Sequence, residues 1–266
     1  MKKTDCKKIR LNKGDMDVYD FGEITLHAYK TNDPLSDEVF IVEKNGSGVV
    51  IESPCFYDNI TELEDYIKNN KLNIEGVMIS YHASGATFLK DTKKYATKHA
   101  DDYGHSGGGK TLIDNFTNTF GDIFDNSIHT TTDFLENGSI SIAGIDFDIV
   151  DTDEGFDIII PQINSIYTHM LGHDCHSIVA GEKHADTLIS ILDGYLTNNF
   201  NLILTSHYTP EDLSDVKTKI EYLKTLKQIH KESKNAEDFK QNVINKFPNY
   251  SGLNYLDMTT NFFYIN

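Results

Sequence analysis

The chain has 266 residues, 39% of them hydrophobic and 24% charged, which is enough to bury a full core in one large domain. Its net charge of −17 repels phosphate backbones and anionic membrane surfaces, so nucleic acid and membrane are set aside as partners. No apolar stretch reaches transmembrane length, no apolar segment follows the basic start Met1 to Lys8, and three cysteines without CxxC spacing fit free thiols in a reducing, cytoplasmic compartment.

The first 53 residues read as strands: Asp17–Asp20, Glu23–Tyr29, Glu38–Glu43 and Gly48–Glu52 are rich in β-branched and aromatic residues. Asn45-Gly46 between the last two is a hairpin signal. Asn59 or Thr61 is placed to cap a helix through Lys71, with Leu63, Tyr66 and Ile67 on one face. Strand Gly76–Ser80 follows, then a helix-and-loop region from about Ala86 to Asn126. Strands return at Ser139–Ala143, Asp146–Asp151, Phe156–Pro161 and Ser165–Tyr167. Helix Ala185–Asn198 leads into strand Leu202–Thr205. Glu211 to about Lys231 has Val216, Ile220, Leu223 and Leu226 at helical core spacing, and a shorter helix is placed near Ala236–Lys246. The aromatic segment Tyr255 to Ile265 reads as a final strand or as packing on the core. No linker rich in Gly, Ser or Pro divides the chain, which argues for a single domain over residues 1–266.

Three apolar runs end within a residue or two at a histidine: Val77 to His82, Ser165 to His169 and Leu202 to His207. Strand ends are where layered α/β folds build their sites, so His82, His169 and His207 are the leading candidate metal ligands. Three imidazoles can hold a catalytic zinc while leaving a position open. The segment Leu171-Gly172-His173-Asp174-Cys175-His176 offers more donors. His169 and His173 are spaced i, i+4, so His173 is counted as a fourth candidate ligand, and Asp174 as a residue that orients a histidine or acts as base. Tyr81 and Tyr208 flank two of the key histidines, and Tyr208 is assigned as a candidate donor to an oxyanion. Cys175 reads as a small buried residue.

Gly104-His105-Ser106-Gly107-Gly108-Gly109-Lys110-Thr111 fits the phosphate-binding pattern G-x-x-x-x-G-K-[ST]. That chemistry needs a buried strand just before it, and Lys98 to Tyr103 is too polar to be one. The stretch reads instead as a glycine-rich mobile loop beside the mouth of a site.

The order of elements resembles the metallo-β-lactamase fold, an α+β, four-layer αββα sandwich of two pseudo-repeated halves. Val49 to Ser53 sits where that family has an apolar strand ending in Ile-Asp-Thr/Ser, and Met78 to Gly85 at its His-x-His-x-Asp-His loop. Val150 to Asp157 sits at Gly-His-Thr-x-Gly, Ile160-Pro161-Gln162 with Tyr167-Thr168-His169 resembles its Pro-Glu turn, strand and Gly-Asp, and Leu204 to Tyr208 its final Pro-Gly-His-Gly. The metal motif departs from the family's: Ser80, Ser84, Gly85 and Thr152 stand at ligand positions, leaving His82 and His207, with His169 as a substitute. The resemblance implies a hydrolase of an ester, thioester, amide or phosphoester with a rebuilt mononuclear site. The cofactor expected is one divalent metal, zinc ahead of iron or manganese, or none. The alternative is a non-catalytic protein of this fold whose vestigial site binds a small ligand or a partner protein. Apart from that partner protein, the expected partner is a small-molecule substrate or ligand, and no feature sets an oligomeric state.

Overall fold

In the computed structural model, which describes residues 2–264, the chain divides into two compact units: Met1–Met170 with Asn201–Pro210, and Leu171–Phe200 with Glu211–Asn266. The first unit opens with strands β1 (Lys7–Arg10), β2 (Asp15–Asp20), β3 (Thr25–Lys30), β4 (Glu38–Lys44) and β5 (Ser47–Ile51), each antiparallel to the one before. Asn45 and Gly46 join β4 to β5 with φ of 54° and 83°, the doubly left-handed turn that matches the twist of a hairpin. Helix α1 (Tyr57–Asn69) then carries the chain over to β6 (Asn73–Met78), parallel to β5, and β7 (Lys94–Thr97) and β8 (Asp133–Leu135) extend the sheet in parallel. A second sheet runs in the order β13-β12-β11-β10-β9, built from β9 (Gly138–Ile142), β10 (Ile145–Asp151), β11 (Phe156–Ile160), β12 (Ser165–Thr168) and β13 (Ile203–Thr205). Only its β12–β13 pair is parallel.

Alternation along β4 shows how the layers form. Phe40 and Val42 face a core shared with Phe147, Ile149, Phe156, Ile158 and Tyr167 of the second sheet. Val39 and Ile41 face the other way, onto Ile60, Leu63, Tyr66 and Ile67 of α1. Both faces of β4 are therefore buried, which is why its sequence is a continuous apolar run. Full burial of each such side chain contributes roughly 1.5–3 kcal/mol. The fold is mixed, with two sheets and seven α-helices among the described residues.

Four of those helices, α4 (Glu182–Asn198), α5 (Leu213–Glu232), α6 (Ala236–Lys246) and α7 (Leu253–Tyr264), lie in the second unit. Asp212 and Asp215 cap α5 reciprocally, satisfying N–H groups that the first turn leaves free. Phe239 of α6 stacks on Phe263 of α7, with ring centroids 5.3 Å apart. Among the described residues no helix is long and apolar enough to cross a membrane.

Three expectations are corrected, and the absence of a strand before the glycine motif agrees with the sequence reading. The C-terminal aromatic segment is the helix α7, with Leu256, Thr259, Thr260 and Phe263 on its buried face; Ile265, where the strand was expected to end, lies outside the described residues. The glycine-rich stretch is no loop: α2 (Lys98–Ser106) runs to Gly107, where α3 (Gly108–Phe120) begins. A Cβ on Gly107, Gly108 or Gly109 would come within 2.9 Å of Tyr103, so these glycines make room for a tyrosine, not for a phosphate. The segment before that motif is helical, which removes the strand a phosphate loop requires. Finally, α1 starts at Tyr57 without a side-chain cap, and Asn59 is instead a buried helical residue donating to Tyr29 Oη and the Thr31 carbonyl.

Candidate metal centre

The three predicted strand-end histidines come together in the first unit. His82 lies four residues past β6, His169 directly follows β12, and His207 lies two residues past β13. β12 and β13 are parallel neighbours, so both deliver their histidines to the same edge, and Ser206 N–H donates to the His169 carbonyl at 3.0 Å. Ring centroids are 4.8 Å apart for His82 and His207, 5.4 Å for His169 and His207, and 5.6 Å for His82 and His169. One nitrogen from each lies within 4.8 Å of the other two. Burial holds His82 down to about 4 and His169 down to about 3, the latter helped by its two imidazole neighbours. Neutral imidazole is the form that binds metal. The donor set, its spacing and its partial exposure therefore fit a divalent cation.

Glu52 and Asp37 hold these histidines. Glu52 follows β5 with φ +65°, a left-handed conformation unusual for a side chain of its size. Its buried carboxylate accepts the main-chain N–H groups of Tyr81 (2.8 Å) and His82 (3.2 Å) and the Tyr167 hydroxyl, which also meets Ser206 Oγ at 2.7 Å. Burial raises the Glu52 carboxyl to about 7, against the pull of the Tyr167 hydroxyl and those N–H groups. Tyr81 stacks on His169 at 4.7 Å and donates to Asp157 Oδ1 at 2.8 Å. Asp37 is buried just before β4, where Glu38 N–H donates to the Ser206 carbonyl at 2.7 Å. Its Oδ1 lies 3.3 Å from His207 Nδ1 and 3.7 Å from His82 Nδ1. Burial alone would lower His207, but the Asp37 carboxylate outweighs it and the pKa rises.

Ser80, Thr152, Ser84 and Gly85, the positions that the sequence resemblance sets against metal ligands, have structural work. Ser80 Oγ donates to the Phe156 carbonyl at 2.6 Å and accepts its N–H at 2.8 Å, tying the His82 loop to β11. Thr152 Oγ1 accepts the Gly155 N–H. The Ser84 carbonyl accepts Ser53 Oγ, which also meets His129 Nε2 at 2.8 Å. Gly85 has φ +89°, and a Cβ there would lie 2.3 Å from the Pro54 carbonyl oxygen, so position 85 cannot carry a histidine in this backbone.

His173 and Asp174 belong to the second unit. His173 Nδ1 meets Glu211 Oε1 at 2.7 Å and Asp215 Oδ1 at 3.6 Å, and these three residues form a group of their own. The hydrogen bond to Glu211 raises the His173 pKa. Asp174 is exposed. Buried Cys175 donates its thiol to the His176 carbonyl. Tyr208 is half-buried next to His207. Sequence reasoning passed over Asp37, Asp33 and Cys55. Asp33, Asp37 and Cys55 form a third group of close donors, and its only sequence signal is that Asp37 and Cys55 flank strands whose far residues are core.

No protein-family model matches the chain, and no curated protein sequence matches it. Solved structures do. A metallo-β-lactamase from Erythrobacter litoralis, solved with β-mercaptoethanol in its active site, superposes with a TM-score of 0.56 at 10% identity, over 82% of this chain and 100% of that one. The stereoselective inverting sec-alkylsulfatase of Pseudomonas sp. gives 0.53 at 12% identity over 91% of this chain. A double mutant of that sulfatase gives 0.57 at 11% over 96%. The chain spans half or less of the sulfatase, 50% and 43% in the two structures. The chain has the metallo-β-lactamase fold.

Proposed function

We propose that the chain is a metal-dependent hydrolase that acts on an ester, thioester, amide or phosphoester through one divalent ion, zinc ahead of iron or manganese, held by His82, His169 and His207. The observation that carries this reading is the convergence of those three imidazoles, from three different strand ends, to within 4.8 Å. A divalent metal, when bound, supplies Lewis acidity toward an acyl or phosphoryl oxygen and lowers the pKa of water. Glu52 fixes the main chain that carries His82, and Tyr81 backs the His169 ring. Tyr208, beside His207, is assigned as hydrogen-bond donor to the oxygen on which charge develops. His173, which meets Glu211, is not one of the three converging imidazoles and is left out of the ligand set, and Asp174 is given no step. The test is His82→Ala and His207→Ala, each assayed for metal content and for hydrolysis of ester, thioester, amide and phosphoester substrates. Loss of both supports the reading. Metal content and every activity unchanged would overturn it in favour of a non-catalytic, ligand-binding protein of this fold.

A further inference from the structure

Beside the histidines lies a cluster that the proposed hydrolase site does not use. Asp33, Asp37 and Cys55 each place one donor atom within 4.8 Å of the other two. Asp37 and Cys55 are each 2% exposed, and Cys55 Sγ lies 3.3 Å from Asp37 Oδ2. Asp33 Oδ2 and Asp37 Oδ1 are buried and accept no hydrogen bond. Among the described residues no lysine or arginine pairs with either carboxylate. Two carboxylates and a thiol packed together, with one oxygen of each carboxylate lacking a hydrogen bond and only the His82 and His207 imidazoles facing Asp37, present donors that a cation would satisfy. The Asp33 side chain is aimed by the Leu35 and Ser36 N–H groups, which both bind its Oδ1 at 2.8 Å and leave Oδ2 for the cluster.

The contacts of Asp37 with the histidines point the same way. A charge-assisted N–H···O bond spans about 2.7–2.9 Å. Asp37 Oδ1 stands at 3.3 Å and 3.7 Å from the two Nδ1 atoms, longer than such a bond. Two ligands on one tetrahedral zinc, with bonds of about 2.0–2.1 Å, are roughly 3.3 Å apart. Asp37 therefore has one oxygen at ligand spacing from His207 and the other beside Cys55.

We propose that Asp33, Asp37 and Cys55 form a second cation position in the first unit, bridged to the three-histidine group by the Asp37 carboxylate, and that it takes a thiophilic divalent ion of the zinc class. A thiolate donor selects zinc-like ions over magnesium or calcium. Cys55 gives up its proton on binding, to solvent, as any thiol ligand does. The position is distinct from the one the family resemblance implies, whose lost ligands fall at Ser84 and Gly85. Its donors come from the turn before β4 and the segment after β5. Through Asp37 the inference rests in part on the three-histidine reading, and the experiment separates the two.

The full chain, cleared of metal, is titrated with cobalt(II), and both the equivalents bound and the sulfur-to-cobalt charge-transfer absorption in the near ultraviolet are recorded. The expected result is about two equivalents and a sulfur band. Cys55→Ser removes the band and about one equivalent, while the visible absorption of histidine-bound cobalt stays. Asp33→Asn, in a half-buried turn, weakens the sulfur-bearing position about tenfold and serves where Cys55→Ser fails to fold. His169→Ala keeps the band. No sulfur band in the loaded wild type, or a band that survives Cys55→Ser, overturns the proposal, and an equivalent still lost in His169→Ala then leaves the histidine site standing. A Cys55-dependent band with no equivalent lost in His169→Ala upholds this proposal and overturns the histidine site.

Discussion

Glu52 Oε2 accepts the main-chain N–H of His82 at 3.2 Å while its other oxygen accepts the N–H of Tyr81 at 2.8 Å, so one buried carboxylate fixes the loop that delivers a candidate ligand. All of its bonds require an acceptor. In Glu52→Gln the amide nitrogen must face either the His82 N–H or the pair formed by Tyr81 N–H and the Tyr167 hydroxyl, and a donor then meets a donor. An unsatisfied buried group of this kind costs about 1–3 kcal/mol. The expected outcome is that loss of stability in denaturant unfolding together with roughly tenfold weaker metal binding. Wild-type stability and metal affinity in the variant would show that Glu52 does not hold the loop.

Placing a metal-ligating histidine at position 85 is expected to fail. Gly85 adopts a left-handed φ, and a Cβ would press on the Pro54 carbonyl at 2.3 Å. Gly85→Ala is expected to cost more than about 1 kcal/mol, read as a lower thermal midpoint. Gly85→His adds the same strain and gains no metal. A Gly85→His protein with the wild-type midpoint and an extra bound equivalent would contradict the steric account.

In the second unit the His173–Glu211 pair makes stability depend on pH. Its hydrogen bond raises the folded pKa of His173 above the ordinary 6.5. The native state thus holds the proton more tightly, so the stabilisation is fully present below about pH 6.5 and fades as pH rises through the folded value. Buried Lys219, held down to about 8 by burial and donating to the Gly172 and Cys175 carbonyls, titrates nearby in both proteins and cancels in the comparison. His173→Gln is therefore expected to be less stable than wild type at pH 6, with the gap closing by pH 9. A gap that is constant or widens with pH would exclude the pair as its source.

Much of the first unit was legible because its signals are local. Asn45-Gly46 marks the hairpin, and alternation or continuous apolar runs mark the strands that end at His82, His169 and His207. What stayed hidden depends on which side chains meet once the chain is folded. Asp37 and Cys55 are 18 residues apart and meet only because β4 and β5 pair. The glycines at 107–109 look like a phosphate loop until Tyr103 is seen to occupy the space they leave. β7 and β8 have four and three residues, too short for a period to show, and β7 buries Lys94, whose ammonium donates to the Leu89 and Thr92 carbonyls. α7 carried a helical signal in Leu256, Thr259, Thr260 and Phe263, which its aromatic content masked.

The measurement that bears most directly on the three-histidine centre is the metal content, by elemental mass spectrometry, of protein purified without chelator or affinity-tag metal. The account predicts at least about one equivalent of zinc, iron or manganese per chain, lost when His82, His169 and His207 are all replaced by alanine. No metal in the wild-type protein, even after incubation with zinc, would contradict it.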